Sequence, residues 1–376
     1  MLFGEGEMKF ENLDILKLDR RTFLKVAAAM GASAFLGTYK ADIVNALALA
    51  ETKIVWLHGA ECTGCTESFL NAAYPDVIQA ITKLNVNVAY HETLLAQQGI
   101  FVDGRLVNTA ELNSEILLEE LVAEGGYVLV VEGAIPNGPD GTGNYCMIGG
   151  HSFKEMVRKA AEKAEAIVAM GTCSSYGGVP AANSAIQAIT DNRGLAFTGT
   201  DSTKGILREV GIDEAVVNIP GCPAHPDWVM LTLASIILGK GVPDLDRYGR
   251  PAVFYPDHTI HENCPRRGFY DIGQLDTEFA EGHCLWKLGC KAPVTHADCA
   301  IRLWNNGLNM CTQAGSPCIG CVQPGFPDST TPFYVEIEKV PTLVGVDINT
   351  IAKVAVGAAA IGVGAHAVRR IAMKEE

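Results

Sequence analysis

The chain has 376 residues, 48% of them apolar, and a formal net charge of −14. That is enough for two domains and a sizeable core, which excludes general disorder, and the absence of a Lys/Arg run in the body argues against a nucleic-acid surface, where cations must displace counterions from phosphates. Twelve cysteines are too sparse for a small disulfide scaffold, and a chain this long needs no covalent staples, so their placement asks for another cause.

The first element in chain order is an address label. Asp19 to Lys25 reads DRRTFLK and is followed by the apolar, Ala-rich run from Val26 to Leu36, a charged n-region and then an h-region. Ala48-Leu49-Ala50 before Glu51 offers a small-x-small cleavage pattern. Residues 1–50 resemble a twin-arginine export signal, and the resemblance implies a protein exported already folded around a cofactor.

Next, TKIVWLHGAECTGCTESFL predicts a buried strand from Lys53 to Leu57, a loop and a helix start. The plan recurs in a strand from Ala166 to Met170 ending near Cys173, and in one from Ala215 to Ile219 ending near Cys222 with a helix from about Pro226. Tyr127 to Val131 adds a further strand, with helical patterns between. Strands alternating with helices predict an α/β fold, a doubly wound parallel sheet over residues 51–238. The loops at the carboxyl ends of such strands converge on a crevice where ligands sit. Cys62, Cys65, Cys173 and Cys222 all fall on these loops, so residues far apart in sequence can meet as a four-thiolate site. Zinc also accepts four thiolates, but structural zinc usually staples a small module with two close pairs. Three separate loops of a self-sufficient core favour an iron-sulfur cluster. The loop Gly138 to Gly150 lacks GxGxxG spacing, and Cys146 within it reads as a lone structural cysteine.

From about Gly239 to residue 335 the periodic patterns fade into a loop-rich stretch holding His261, Cys264, Cys284, Cys290, Cys299, Cys311, Cys318 and Cys321. Setting Cys146 aside leaves eleven cysteines, and His261, from HENC, brings the ligand count to twelve, three sets of four. His261, Cys264, Cys284 and Cys290 form one set; Cys299, Cys311, Cys318 and Cys321 form another. His58, His91, His151, His258, His283 and His296 read as ordinary surface or core residues. After a linker at 336–350, Val354 to Val368 is fifteen residues without Asp, Glu, Lys or Arg, closed by Arg369 and Arg370. With Lys353 snorkelling, residues 351–370 predict a membrane anchor helix whose arginines lie on the cytoplasmic side. A buried Ala/Gly-rich packing helix is the alternative.

ECTGC, GTCSSYGG, GCPAHPDW, HENCPRRG, CLWKLGCKAPVTHADC and RLWNNGLNMCTQAGSPCIGCVQPGFPD together resemble the small subunits of the nickel-iron hydrogenases, from about Thr52 to Phe333. The two ends resemble those of the membrane-bound, respiratory branch. The resemblance implies a flavodoxin-like sheet domain holding a proximal 4Fe-4S cluster on Cys62, Cys65, Cys173 and Cys222. It assigns His261, Cys264, Cys284 and Cys290 to a distal 4Fe-4S cluster and Cys299, Cys311, Cys318 and Cys321 to a medial one. Many members carry proline in place of Cys311 and a 3Fe-4S medial cluster; the extra thiolate here implies 4Fe-4S at lower potential. Oxygen-tolerant members carry extra cysteines where this chain keeps Gly64 and Gly178, so an ordinary, oxygen-sensitive proximal centre is implied. Glu61 and Thr63 match positions proposed to assist proton exit at the subunit interface. His225, where the family commonly shows Asn, reads either as a donor to a cluster sulfur or as a solvent-facing turn residue.

No RxCxxC pair of the nickel-binding kind occurs, so the resemblance implies a large-subunit partner that holds the catalytic centre. The chain would then be the electron-transfer subunit of an uptake hydrogenase on the outer face of the cytoplasmic membrane, delivering electrons to a membrane cytochrome b and a quinone or methanophenazine pool. The alternatives are a periplasmic hydrogenase donating to a soluble cytochrome c, a complex I small subunit, which normally carries the proximal cluster alone, and a secreted disulfide-bonded binding protein.

Overall fold

The computed structural model describes residues 53–337, apart from 74, 84–85, 98–99, 108, 238–240 and 329–330. The expected export signal at 1–50 and the anchor at 351–370 lie outside the described residues, as does the linker from residue 338 onward. Among the described residues no helix is long and apolar enough to cross a membrane.

Five parallel strands form the central sheet: β1 (Lys53–His58), β2 (Asn87–His91), β3 (Tyr127–Glu132), β4 (Ala164–Met170) and β5 (Val216–Ile219), in the spatial order β2-β1-β3-β4-β5. This is the flavodoxin-like order, whose direction reverses between β1 and β3. The sequence left β2 unrecognised, because Asn87–His91 alternates weakly, Asn87 is exposed and Val88 and Ala89 are only partly covered. The other strands read as near-continuous apolar runs because both their faces are buried.

The period of two sorts each strand's side chains onto two cores. Val55, Leu57, Leu129, Val131, Ile167 and Ala169 pack beneath helices α3 (Ser114–Glu124) and α4 (Phe153–Ala161), numbered after α1 (Gly64–Leu70) and α2 (Val77–Lys83). On the opposite face Ile54, Trp56, Val128, Val130, Val168 and Met170 share a core with Trp228 and Leu233. Those two belong to α6 (Pro226–Ile237), which follows the short α5 (Gly171–Tyr176). The same core takes in Phe254, Leu285, Cys290, Cys299, Met310 and Cys318, so the loop-rich half is laid against one face of the sheet.

Beyond α6 the described chain consists of short turns, among them Ile260–Asn263, Arg267–Asp271, Trp286–Leu288 and α7 (Cys299–Arg302). Polar ties join this half to the sheet half: the Trp228 indole donates to Asp298 at 2.7 Å, and Arg302 bridges Asp298 at 2.7 Å and Asp227 at 3.6 Å. Cys299 at the start of α7 is thereby fixed relative to Cys222, four residues before α6.

Candidate functional site

Three of the five strands, β1, β4 and β5, lead into the cysteine loops that the sequence predicts. α1 begins at Gly64 directly after the β1 loop, α5 begins directly after β4, and Cys222 follows β5 by three residues. One cavity at the carboxyl edge of the sheet is lined by Cys62, Cys65, Cys173 and Cys222, together with Glu132 and Gly221. Burial pushes the Cys65 thiol well up, the charges of Glu132, Cys173 and Cys222 adding to it, while the Ala224 N–H donates to its Sγ at 3.4 Å and opposes the shift. Burial likewise pushes Cys173 up to about 12. Bare thiolates are disfavoured in such a pocket, and thiolates whose charge a metal group neutralises are not.

In the loop-rich half the thiols lie within electrostatic reach of one another, and Cys290 and Cys318, of different expected sets, are neighbours as well. Cys284 and Cys290 each feel the charge of Cys264, and Cys290 that of Cys284. Cys299 feels Cys321 and Cys311, and Cys318 feels Cys321 and Cys299 as well as Cys290. His261 is 6% exposed, its Nε2 is buried without a hydrogen-bond partner, and Tyr270 meets its ring edge-on at 4.6 Å. Burial draws its pKa down to about 4, so the imidazole is neutral and free to act as a ligand at neutral pH. Cys146 stands apart, partly buried against the second core.

All twelve cysteines are free, which removes the disulfide alternative. Their spacing also bears on zinc. Four thiolates about 2.3 Å from one zinc ion stand about 3.8 Å apart. Among the described residues no cysteine trio has its Sγ atoms within 4.8 Å of one another; the single compact group is His58, Glu61 and Glu132. No three thiols among the described residues are compact enough to hold one zinc ion.

The compact acidic group is a hydrogen-bond network that the sequence reading missed. Glu132, last in β3 and 1% exposed, accepts from the backbone N–H groups of Cys65 and Thr66, both at 3.1 Å, from the Thr66 hydroxyl at 2.6 Å and from the Trp56 indole at 3.2 Å. It thus fixes the first turn of α1 and Cys65 on it, and its four filled acceptor positions leave none for a metal ion. Thr93 N–H donates to His91 Nδ1 at 3.2 Å, which leaves Nε2–H facing the Thr66 hydroxyl at 3.3 Å. His58 Nδ1 meets Glu61 at 3.2 Å, and Thr63 donates to the same carboxylate at 3.1 Å. Burial raises the pKa of Glu61 and lowers that of His58. The legible signal was a carboxylate closing an otherwise apolar strand, YVLVVE.

His225 takes neither of its expected roles. It is 2% exposed, its Nε2 bonds the Leu303 carbonyl at 2.8 Å, its Nδ1 accepts from Asp227 N–H at 3.1 Å, and its ring lies between Trp228 and Trp304. Both ring nitrogens are spent on backbone, and the donor to a ligand sulfur is the amide of Ala224 next to it.

The comparisons with known proteins follow the same division of the chain. The family model for the C-terminal region of the NiFe/NiFeSe hydrogenase small subunits matches residues 256–334. The model described as NADH ubiquinone oxidoreductase, 20 Kd subunit, matches residues 62–236. The small subunit of F420 non-reducing hydrogenase I from Methanosarcina mazei is 63% identical, over 97% of this chain and 96% of its own. The chain belongs to the nickel-iron hydrogenase small subunits. The periplasmic [NiFeSe] hydrogenase small subunit of Desulfomicrobium baculatum is 37% identical over 85% of this chain and 99% of its own. A solved structure of the reduced, active Ni-Fe-Se hydrogenase from that organism covers 76% of this chain and 99% of its own at a TM-score of 0.65.

Hydrogenase small subunits carry iron-sulfur clusters and transfer electrons, and the catalytic centre resides in the large-subunit partner. The complex I kinship is confined to the sheet half, and the match over 256–334 sets this chain apart from that rival. Two glycines fit the crowding around a cluster. A Cβ on Gly64 would stand 3.1 Å from Cys62 Sγ, and one on Gly178, at φ +53°, would come within 2.9 Å of the Cys173 backbone and 3.0 Å of its Sγ.

Proposed function

We propose that this small subunit relays electrons from hydrogen oxidation in the large subunit through three 4Fe-4S clusters to a membrane cytochrome b and a quinone or methanophenazine pool. Cys62, Cys65, Cys173 and Cys222 would hold the proximal cluster, Cys299, Cys311, Cys318 and Cys321 the medial one, and His261, Cys264, Cys284 and Cys290 the distal one. When bound, each cluster supplies a one-electron carrier, and the chain supplies position, insulation and hydrogen bonds.

The observation that carries this reading is that ligands of successive sets touch through single hydrogen bonds. Burial pushes Cys321 up to about 12 against a hydrogen bond from the Cys222 backbone, which joins the first set to the second. Cys318 N–H donates to Cys290 Sγ at 3.3 Å, which joins the second to the third. The Thr172 hydroxyl, which accepts from Gly221 N–H at 2.9 Å, donates to the Cys321 carbonyl and reinforces the first junction. Beside Cys62, the Thr63 hydroxyl donates to Glu61, whose carboxylate meets His58 Nδ1, a chain of groups that could pass a proton.

The signal-like DRRTFLK and the apolar stretch 351–370 support export and anchoring on the outer face of the cytoplasmic membrane. The name of the Methanosarcina mazei relative says that it does not reduce F420, which supports an acceptor of another kind. The periplasmic name of the Desulfomicrobium baculatum relative favours the second reading, a soluble cytochrome c as acceptor, at lower identity. The test is hydrogen-dependent reduction by the solubilised complex of a quinone or phenazine analogue set against a soluble cytochrome c. Faster reduction of the lipid-soluble carrier supports the first reading, and reduction of cytochrome c alone supports the second.

A further inference from the structure

Lys291 directly follows Cys290 and is 2% exposed. Its N–H donates to the Cys318 carbonyl at 2.6 Å, and its stem lies over Gly320, where a Cβ would stand 3.3 Å from its own. Its ammonium donates to the Thr331 hydroxyl, to the Pro332 carbonyl at 3.2 Å and to the Val335 carbonyl at 2.8 Å. All three acceptors are neutral, and among the described residues no carboxylate pairs with the ammonium. Arg250, another buried cation, pairs with Asp246 at 2.7 Å. Burying an ammonium against neutral acceptors alone costs several kcal/mol, so the fold calls for anions near Lys291. Burial lowers the pKa of Lys291; the charge of Cys290 opposes this first, followed by the Asp328 carboxylate and Cys318, and the two cysteines are ones that the proposed function gives to neighbouring clusters.

We infer that Lys291 is the buried counter-cation of the medial and distal clusters and holds both of their reduction potentials up. The inference rests on the assignment of Cys290 and Cys318 to those clusters. Reduction adds a negative charge to a cluster, and a fixed cation beside it stabilises the reduced state. Lys291 is a positioning residue as well. Its hydrogen bonds hold residues 331–335 across Gly289, where a Cβ would meet the Tyr334 backbone at 2.5 Å, and Trp286 pins Glu336 at 2.8 Å.

The intact heterodimer with Lys291→Gln keeps N–H donors and loses the charge, and Lys291→Arg keeps the charge. Iron content is measured first, then potentials by anaerobic redox titration followed by electron paramagnetic resonance. In Lys291→Gln the reduced-to-oxidised ratio of the medial and distal clusters at the wild-type midpoint should fall about tenfold, a drop of about 59 mV for a one-electron couple. The proximal potential should not move, and Lys291→Arg should stay near wild type. Loss of medial and distal iron in the Gln variant alone would also support the need for charge. Full iron with unchanged potentials in Lys291→Gln, an equal fall at all three clusters, or loss of iron in both variants would overturn the inference. A wild type lacking iron at these cysteines would instead refute the cluster assignment itself.

Discussion

The N–H of Cys318 points at the Sγ of Cys290 across 3.3 Å, and the N–H of Lys291 returns to the Cys318 carbonyl at 2.6 Å. Residues 27 and 28 positions apart in sequence are locked together where two ligand sets meet. Hydrogen bonds to a ligand sulfur raise a cluster's potential and hold its position, so under the proposed assignment this junction would both tune and fix the step between the medial and distal centres.

In the proposed relay His261 would be a ligand of the last cluster. Its buried, unpartnered Nε2 offers a neutral ligand where a thiolate would add charge. Replacing it with Ala or Gly should slow electron delivery to an external acceptor while leaving hydrogen-deuterium exchange, which needs no outward electrons, nearly intact. A parallel loss of both activities would place His261 elsewhere in the mechanism.

Under the proposed assignment Cys311 would decide the type of the medial cluster. Among the described residues no backbone hydrogen bond takes its N–H, so a proline ring removes none. Cys311→Pro should convert the centre to 3Fe-4S and raise its potential. Electron paramagnetic resonance of the oxidised protein should show a new signal near g of about 2. A wild type prepared without air that already shows this signal at full strength would exclude Cys311 as a ligand.

His225→Ala separates packing from cluster tuning. Loss of its two backbone hydrogen bonds and its contacts with Trp228 and Trp304 should lower stability by about 2–4 kcal/mol. The proximal potential should stay put, because Ala224 supplies the donor to Cys65. Redox titration beside a thermal melt checks both halves; a shifted potential in a folded variant would restore His225 as a sulfur donor.

His91 ties stability to pH. Burial, the largest cause, and the charge of His58 draw its pKa to about 3 from the usual 6.5, so the folded state keeps it neutral while the unfolded chain takes a proton below 6.5. Its contribution is therefore complete above pH 6.5 and is lost by about 1.4 kcal/mol per unit as pH falls from there toward 3. Thermal midpoints at pH 7 and pH 5 should fall more steeply for the wild type than for His91→Gln. Equal slopes would mean that His91 does not titrate on unfolding.

The parallel sheet was legible because β1, β3, β4 and β5 are largely buried apolar runs, three of which, β1, β4 and β5, lead into cysteine loops. Count and spacing suggested the grouping of the second-half cysteines that the proposed function adopts. Glu132 was not, because its role depends on the N–H groups of Cys65 and Thr66, which come beside it only when β1 and β3 pair. His225 was misread for a related reason: its partner, the Leu303 carbonyl, is 78 residues away and leaves no mark in local sequence. Local chemistry can be read from spacing, whereas a hydrogen bond between distant loops needs the fold.

The central claim is that twelve side chains hold three four-iron clusters, and counting metal tests it most directly. Elemental analysis of the anaerobically purified complex should return about twelve iron atoms per small subunit beyond the partner's nickel-iron centre, and no zinc. About four would leave only the strand-end cluster, and zinc with negligible iron would contradict the account as a whole.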